Sequence, residues 1–491
     1  MTERTLPAAD SLAGRQRRPR RRSRLALPVI VTCQLMIMLD VTVMNVALPR
    51  IQATLHFSPT GLSWVINAYT LVFGGMLLLG GRAGDLLGRR RMFVGGVALF
   101  TAASLAGGLA TSAAWLLAAR VAQGLGGAAA APNTLALITS TFTEPRERVK
   151  ALAIFSGIAS GGFTIGLIVG GLLTDALSWR WVMFINVPLG LAVTALAPRH
   201  LPAPEPAAES GAGRGRGRRR AGLDLPGALT ATGGVAGLVY AFIRAATEGW
   251  ADRVVLGTLA AGLALIAAFL LIETRASEPL LPLRLFADRN RAMAYLNFFI
   301  GPLAMFGMFF FLTQFLQEIM GLGPLATGLA FLPMAVVMFT MTRFIPRLLP
   351  KLGPRRMAVT GTLMMVAGLI WLTQVGEGSA YATGLLAPMI LMGAGVGLAF
   401  SPLNVLVMST VAPRDAGAAG GALQTMQQVG ASLGLAVLVT IFGHATRVAA
   451  AHGASAQHAL VAGMSHAFVA STIFALCTLA VATTFRRPDA A

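Results

Sequence analysis

Fourteen long apolar stretches, almost free of charged residues, dominate this 491-residue sequence and restrict what it can fold into. A helix needs about 20 mainly apolar residues to cross the hydrocarbon core of a bilayer. Inside these stretches the only Asp, Glu, Lys or Arg residues are Asp40 and Arg120. The stretches are 26–48, 62–80, 92–111, 114–139, 151–173, 181–197, 225–243, 254–272, 292–316, 325–341, 357–375, 382–411, 416–443 and 461–485. We therefore predict an all-α integral membrane protein with 14 transmembrane helices.

Composition excludes the soluble classes that the net charge of +20 would otherwise suggest. A soluble domain has roughly 25% charged residues, whereas this chain has 12%, with 55% hydrophobic residues. A nucleic-acid-binding protein would carry its basic residues on a polar, groove-lining surface. We therefore expect a lipid bilayer as the surroundings of this chain, and no nucleic acid as a partner.

The basic residues are distributed unevenly between the two sides of the predicted membrane protein. Lys and Arg are retained on the cytoplasmic side of membrane proteins. If the chain crosses at each stretch, 33 of the 39 basic residues fall on the side of both termini. The other side receives five arginines, namely Arg50, Arg180, Arg244, Arg253 and Arg447. This split predicts a multi-pass protein of the inner (cytoplasmic) membrane with both termini in the cytoplasm.

A short internal echo indicates two related halves. The connection Arg82–Met92 resembles Arg347–Met357, each with a glycine followed by basic residues and a methionine. Transporters built from such repeats bind substrate at the repeat interface and alternate access by rocking the halves. The predicted units are a disordered basic terminus (1–25), a six-helix half (26–198), a cytoplasmic linker (199–223), two inserted helices (224–273), a second six-helix half (274–486) and a tail (487–491).

Four motifs in the first half carry a family resemblance. They are Leu39–Pro49, Gly81–Phe93, Leu116–Ala128 and Trp179–Gly190. Together they resemble the signatures of the major facilitator superfamily, in its fourteen-helix branch of drug:proton antiporters. The resemblance covers nearly everything from Leu39 to Phe485. It implies a major facilitator fold and export of an amphiphilic drug or antibiotic, driven by the proton gradient.

Two positions depart from the family pattern. The second motif usually has a basic residue after its aspartate, and Leu86 stands there. The antiporter motif of the fifth helix usually has a proline where this chain has Leu167, although Gly166, Gly170 and Gly171 match and are expected to pack helices. The missing proline leaves a facilitator or uptake carrier on the same fold as an alternative. A lipid flippase is also compatible with the sequence.

Asp40 and Arg120 are singled out by their position inside apolar helices. A charge at the centre of a spanning helix costs about 2.5 to 3.5 kcal/mol on insertion scales, so it normally faces a partner or a cavity. The two residues lie at similar predicted depth. One interpretation is a permanent ion pair that joins the first and fourth helices. The other is a proton-coupling site, which is the role that the resemblance implies for both residues.

The connection after the second helix contains the residues that the resemblance assigns to gating. These are Gly81, Asp85, Gly88, Arg89 and Arg90. By their chemistry alone they form a basic cytoplasmic loop with one acid. The resemblance implies that Asp85 and Arg89 latch the two halves on the cytoplasmic side, with Asp85 facing the positive end of a helix that begins near Ala416.

Polar and aromatic groups in otherwise apolar helices are candidates for the substrate cavity, although each alone could serve helix packing or face lipid. They are Asn45, Gln123, Asn133, Phe310, Gln314, Gln317, Asn404, Gln424 and Gln427. The second half offers no membrane-embedded carboxylate. Exporters of permanently charged cations need acids to replace lost hydration, so we expect a neutral, zwitterionic or weakly charged amphiphilic substrate.

Other chemistries find little support in the sequence. The only lysines, Lys150 and Lys351, do not follow glycine, so no P-loop for ATP is present, and we expect no cofactor. Four histidines near the last external loop lack accompanying acids, so no metal site is expected. A membrane enzyme of phosphate transfer would need clustered acids or histidines. The sequence therefore predicts a transporter, functional as a monomer, rather than an enzyme.

Overall fold

The computed structural model describes residues 25–142, 144–201, 224–276, 279–281, 283–411 and 416–485, and these residues contain helices and no strand. The predicted disordered terminus, linker and tail lie almost wholly outside these ranges. The helices are α1 (Ala26–Leu55), α2 (Trp64–Leu87), α3 (Arg89–Gly108), α4 (Ala113–Thr141), α5 (Pro145–Ala176), α6 (Arg180–Phe184), α7 (Asn186–His200), α8 (Leu225–Glu248), α9 (Arg253–Arg275), α10 (Arg289–Gln314), α11 (Pro324–Ala330), α12 (Leu332–Leu372), α13 (Leu386–Thr410), α14 (Ala416–Ala451) and α15 (Ala456–Thr483).

The number of spans agrees with the prediction of fourteen. Among the described residues, eleven segments are long and apolar enough to cross a membrane by length and composition, with α6 and α7 forming one of them. Three further helical segments lie where the sequence predicts spans. They are α4 with 29 residues, α5 with 32 residues, and the part of α12 that follows Gly353. Together they account for the fourteen predicted helices.

A left-handed glycine divides α12 into two arms. Gly353 has φ 73° and ψ 161°, a backbone conformation that is strained for residues with a Cβ atom. At the equivalent position of the first half, Gly88 has φ 101° and separates α2 from α3. The two glycines occupy the same place in the echo of Arg82–Met92 and Arg347–Met357. The internal repeat is therefore visible in the backbone as well as in the sequence.

The helices form two six-helix halves and a separate pair. Helices α1 to α7 pack around one apolar core and α10 to α15 around others. The inserted pair packs through α8 along α2 and α14, where Val235 and Val239 meet Leu71 of the first half and Ala436 of the second. The pair therefore lies beside the junction of the two halves.

Glycines permit close contacts between helices in both halves. A Cβ atom on Gly126 of α4 would lie 2.6 Å from the backbone nitrogen of Phe100 in α3. In the second half, a Cβ atom on Gly361 would lie 2.6 Å from the backbone nitrogen of Ala399. Small residues at such points let helix backbones approach each other. These glycines therefore serve helix packing.

The two ends of the bundle differ in the helix ends that lie there. The basic face is the end where α1 begins and α2 ends, and the far face is the end where α1 ends at Leu55 and α2 begins at Trp64. Near the far face a large apolar cluster joins the halves, with Leu48 and Ile51 from the first half and Phe311 and Phe315 from the second. The halves are therefore closed against each other at the far face.

Candidate functional site

The two charged residues inside the membrane form a buried ion pair. Arg120 on α4 donates from Nη1 to Oδ2 of Asp40 on α1 at 2.5 Å. The side chains are 1% and 0% exposed. The two residues, which the sequence places at similar depth, are thus in direct contact and join the first and fourth helices.

Further donors and acceptors complete the surroundings of the pair. Gln123, one turn after Arg120, donates to Asp40 Oδ1 at 3.0 Å and accepts from Arg120 Nη1 at 2.9 Å. Its amide also donates to the hydroxyl of Ser104 at 2.8 Å. Asn186 at the start of α7 donates to Asp40 Oδ1 at 3.4 Å. The carboxylate of Asp40 therefore has three donor side chains around it, all from the first half.

The guanidinium of Arg120 is held by α2 as well. Its Nε donates to the backbone carbonyl of Val65 at 2.9 Å, and its Cζ lies 4.4 Å from the ring centre of Tyr69. Tyr69 in turn stacks on Phe73 at 5.5 Å. A cation over an aromatic face gains up to about 2 kcal/mol when both are desolvated. Arg120 thus keeps two contacts that do not depend on Asp40.

The hydrogen-bond pattern around Asp40 indicates which chemical form of its side chain the site accommodates. The contacts fit the ionised form of Asp40, because its neighbours all donate to it and a carboxylate only accepts. A proton on Asp40 would occupy one acceptor position and remove the charge that attracts Arg120. Because α1, α2, α4 and α7 meet at this point, such a change would alter how these helices are held together.

The predicted gating residues are placed within the first half. Arg90 donates from Nη1 to the carbonyls of Pro198 and Leu201, each at 3.2 Å, and so ties the start of α3 to the end of α7. Gly81 faces Pro132 of α4. Gly88 supplies the left-handed turn before Arg89. The side chain of Asp85 lies outside the described residues, so the latch assigned to Asp85 and Arg89 stays a prediction.

Three predicted cavity residues are occupied by protein contacts in this conformation. Gln123 belongs to the ion-pair network. Asn133 donates to the carbonyls of Gly80 and Ala129 and packs α4 on α2. Phe310 is fully buried in the cluster at the far face and meets Phe311 with ring centres 5.1 Å apart.

The other predicted cavity residues differ in their surroundings. Gln317, just after α10, donates to the carbonyl of Val46 in α1 at 2.8 Å and so joins the halves near the far face. Gln314 is buried, and its amide nitrogen has no partner among the described residues. Asn45 donates to Val41, and its buried carbonyl oxygen has no partner there. Asn404 is exposed, and Gln424 and Gln427 are half-buried.

The three predicted packing glycines lie on α5 at contacts with other helices. Gly166 lies against Thr42 and Gly170 against Val43, both on α1. A Cβ atom on Gly171 would lie 2.7 Å from the backbone of Pro324 at the start of α11, in the second half. Helix α5 therefore contacts both halves through glycines. Leu167, which lies between Gly166 and Gly170 in the sequence, is buried.

Several buried polar residues escaped the sequence prediction. Asn67 of α2 is fully buried, and neither its amide nitrogen nor its oxygen has a hydrogen-bond partner among the described residues. Ser432 of α14 is buried, and its hydroxyl has no partner in the described part of the chain. Glu273 lies inside α9, one residue beyond the predicted stretch, and accepts from the backbone nitrogen of Leu281 at 3.1 Å. A polar residue within an apolar stretch was the available signal for Asn67.

Comparison with known proteins shows which family this chain resembles. The family model described as Major Facilitator Superfamily matches residues 30–435. The puromycin resistance protein pur8 of Streptomyces alboniger is 41% identical over 456 residues, which cover 92% of this chain and 88% of that protein. The cephamycin export protein CmcT of Amycolatopsis lactamdurans is 39% identical over 453 residues, covering 92% and 90%.

Solved structures agree on the architecture. A bacterial homologue of the human lysosomal transporter Spinster aligns with a TM-score of 0.66 at 16% identity, covering 96% of this chain and all of that one. The peptide-transporter-family protein PepTSo aligns with a TM-score of 0.65 at 14% identity, covering 94% and 98%. At such low identity these likenesses concern the fold alone. With the family match over most of its length and relatives near 40% identity, the chain belongs to the Major Facilitator Superfamily.

Proposed function

We propose that this protein is a proton-coupled exporter of amphiphilic, drug-like small molecules in the fourteen-helix branch of its superfamily. The buried pair of Asp40 and Arg120 carries the proposal, because a desolvated carboxylate with its own counter-charge is the chemistry that proton exchange needs. The names of the relatives, a puromycin resistance protein and a cephamycin export protein, support export of antibiotic-like compounds. The proton gradient supplies the energy, with no cofactor.

In the proposed cycle Asp40 alternates between two states. When it is ionised, Arg120 and Gln123 bind it and hold α1 against α4. When it takes a proton, Arg120 keeps its contacts with Val65 and Tyr69 on α2 and loses its charged partner on α1. Asp40 takes this proton from outside, in the outward-open state that has released the drug, and the halves then move so that the path closes to the outside and opens to the cytoplasm. Release of the proton into the cytoplasm restores the pair.

The orientation that we propose places the basic face in the cytoplasm, with both termini inside, in the inner membrane. The far face is then external. Its closure by the hydrogen bond from Gln317 to Val46 and by the apolar cluster of both halves corresponds to a state that is shut toward the outside. Export requires these contacts to separate once in each cycle.

Removal of the Gln317 contact should favour the outward-open state. In Gln317→Leu the hydrogen bond to Val46 is lost, and a typical net value of about 0.5 to 1.5 kcal/mol corresponds to an about two- to tenfold shift of the equilibrium. The measurement is the rate at which Leu48→Cys, introduced after replacement of Cys33 and Cys477, reacts with an impermeant maleimide from outside. Exposed Gln374→Leu is the matched control. Equal labelling rates in both variants would contradict a gating role for Gln317.

Buried groups near the junction of the halves support a substrate without a fixed multiple charge. Within the described ranges, neutral amide or hydroxyl atoms without a partner belong to Asn67, Asn45, Gln314 and Ser432. An unsatisfied buried polar group costs about 1 to 3 kcal/mol, which a substrate with matching donors and acceptors would recover. Helices α10 to α15 contain no aspartate or glutamate that could replace the hydration of a cation.

The charge of the substrate gives a direct prediction. Neutral or zwitterionic drugs should be exported at least about tenfold faster than dicationic dyes of similar size, because a second buried charge costs several kcal/mol without a partner. Efflux of both classes from the same loaded cells provides the comparison, with cells lacking the gene as background. Comparable rates for dicationic dyes would refute the predicted substrate class.

The proposed function is tested with inverted membrane vesicles and a drug panel. Cells with the gene should resist one or more compounds in a panel that includes puromycin and cephamycin. Inverted vesicles from these cells should accumulate the protected compound when energised, and accumulation should collapse when the proton gradient is dissipated. Equilibration that is unaffected by the gradient would instead identify a facilitator, the alternative that Leu167 leaves open.

A further inference from the structure

A cleft of about 440 Å³ opens at the far face between the inserted pair and the second half. It lies at the ends of α8, α14 and α15, away from the ion pair. Ligand sites typically occupy about 300 to 1,000 Å³, so the cleft is large enough for part of an organic molecule. The residues that define its walls include Phe242, Trp250, Thr440, His444, Val448 and His466.

The walls of the cleft are mainly apolar. Phe242 and Trp250 meet edge to face with ring centres 5.4 Å apart and form the wall on the side of α8. Val437, Ile441 and Val448 of α14 form the floor. The hydroxyl of Thr440 donates to the carbonyl of Phe242, so α8 and α14 are joined at this point and the cleft ends there. An apolar chain fits such walls better than a polar solute does.

One end of the cleft is polar and basic. His444 and His466 both line it and are exposed. The Nδ1 of His466 contacts the carbonyl of Ala462, which leaves its Nε2 as the outward atom, and the ring of His444 has no hydrogen-bond partner among the described residues. Arg447 follows His444 by one turn and is exposed. None of the residues that line the cleft is acidic.

The cleft lies on the lipid-facing perimeter of the bundle. Most residues of helix α9 in the inserted pair are not buried against other helices, and Leu256 and Leu263 are exposed. On α15, Ile473 and Leu476 are exposed as well. Trp250 is exposed beside the cleft, and tryptophan is enriched at membrane–water interfaces. A molecule that enters between these helices therefore arrives from the lipid leaflet next to the far face.

We propose that this cleft binds an anionic phospholipid of that leaflet, with an acyl chain along the apolar walls and the phosphate beside His444 and His466. The apolar lining selects a chain, and the imidazoles with Arg447 complement a negative headgroup. The bound lipid would contact α8 and α14 together and hold the inserted pair against the second half. This site is separate from the proposed drug path and does not depend on it.

Trp250 provides the probe for the test. The purified full-length protein is placed in nanodiscs of unlabelled phosphatidylcholine that contain increasing fractions of acyl-brominated phosphatidylglycerol or phosphatidylcholine. The bromines quench nearby tryptophan. Quenching that persists in Trp250→Phe comes from other tryptophans, of which Trp115, Trp181 and Trp371 are exposed, and is subtracted. Near a membrane surface each Lys or Arg contributes about 1 kcal/mol, so with Arg447 beside the cleft half-quenching should need an about fivefold lower fraction of phosphatidylglycerol.

Two kinds of variant separate the cleft from bulk lipid. Ala449→Phe and Ala462→Phe fill the cleft and should each remove the saturable quenching, and Leu263→Phe on the perimeter should leave it unchanged. His444→Gln, His466→Gln and Arg447→Gln together should remove the preference for phosphatidylglycerol, and exposed His452→Gln should retain it. Equal quenching by the two lipids in the wild type, or saturable quenching that survives in both filled variants, would overturn the proposal.

Discussion

Asp40→Asn should abolish proton-driven efflux and leave the protein folded in the membrane. Asparagine has nearly the same shape as aspartate and can still accept from Arg120, but it cannot take up and release a proton. Its neighbours Gln123 and Asn186 can adjust, because both are neutral amides. We expect drug accumulation in cells with this variant to equal that in cells lacking the gene, at similar protein levels in the membrane.

Two variants serve as controls, one at another carboxylate and one at Asp40 itself. Asp175→Asn, an exposed position near the end of α5, should export the drug at the rate of the wild type. Asp40→Glu keeps a titratable group and should retain part of the activity. Full gradient-driven efflux by Asp40→Asn would show that proton coupling takes place elsewhere and that the ion pair with Arg120 is structural.

Arg120→Leu should have the largest effect on stability. It leaves the carboxylate of Asp40 buried without its counter-charge, and loss of one partner from a buried pair typically costs about 3 to 5 kcal/mol. It also removes the contacts with Val65 and Tyr69. The thermal midpoint of the purified protein in detergent measures the change, and we expect a fall of several degrees as well as loss of efflux.

A second substitution distinguishes the charge from the packing. Asp40→Asn together with Arg120→Leu has no uncompensated buried charge, so it should be more stable than Arg120→Leu alone and still inactive. Exposed Arg253→Leu should stay within about 0.5 kcal/mol of the wild type. If the double variant were as unstable as Arg120→Leu, the lost packing on Tyr69, and not the unpaired Asp40, would explain the loss of stability.

The fold could be predicted from the sequence because two simple properties determine it. The length of each apolar stretch predicts a span, and the positions of the basic residues predict which end of each helix is cytoplasmic. The break at Gly353 was foreseeable from its echo with Gly88, since a glycine before basic residues occurs at both places. The end of α9 was less clear, since Glu273 looked like the first charged residue outside the membrane but is buried in the helix.

The site was predictable in part. Asp40 and Arg120 were identified because charges inside spans need partners. Their similar predicted depth indicated that each could be the partner of the other. Gln123 was assigned to the cavity, although it follows Arg120 by three residues and so lies on the same helix face, where the structure finds it bonded to Asp40. Ser104 and Asn186 could not be assigned, because their approach to the pair depends on how α3 and α7 pack.

The predicted cavity shows the limit of reading polar residues one at a time. A polar residue in an apolar helix does not reveal which neighbour it faces. Asn133 turned out to bind the backbone of α2, and Gln317 the backbone of α1. Asn67, buried without a partner, had the same appearance in the sequence as either of them. Only the relative rotation of the helices separates these cases, and that is a tertiary property.

Drug-driven proton movement in proteoliposomes tests the central claim most directly. Liposomes with the purified protein are loaded with the drug against which it protects cells and with a pH-sensitive dye, and are then diluted into drug-free buffer at the same pH. Because export exchanges a proton for the drug at Asp40, the lumen of liposomes with the wild type should acidify as the drug leaves. In liposomes with Asp40→Asn, drug release and acidification should both stay at the level of protein-free liposomes. Drug release by the wild type without acidification, or equal acidification with Asp40→Asn, would contradict the mechanism.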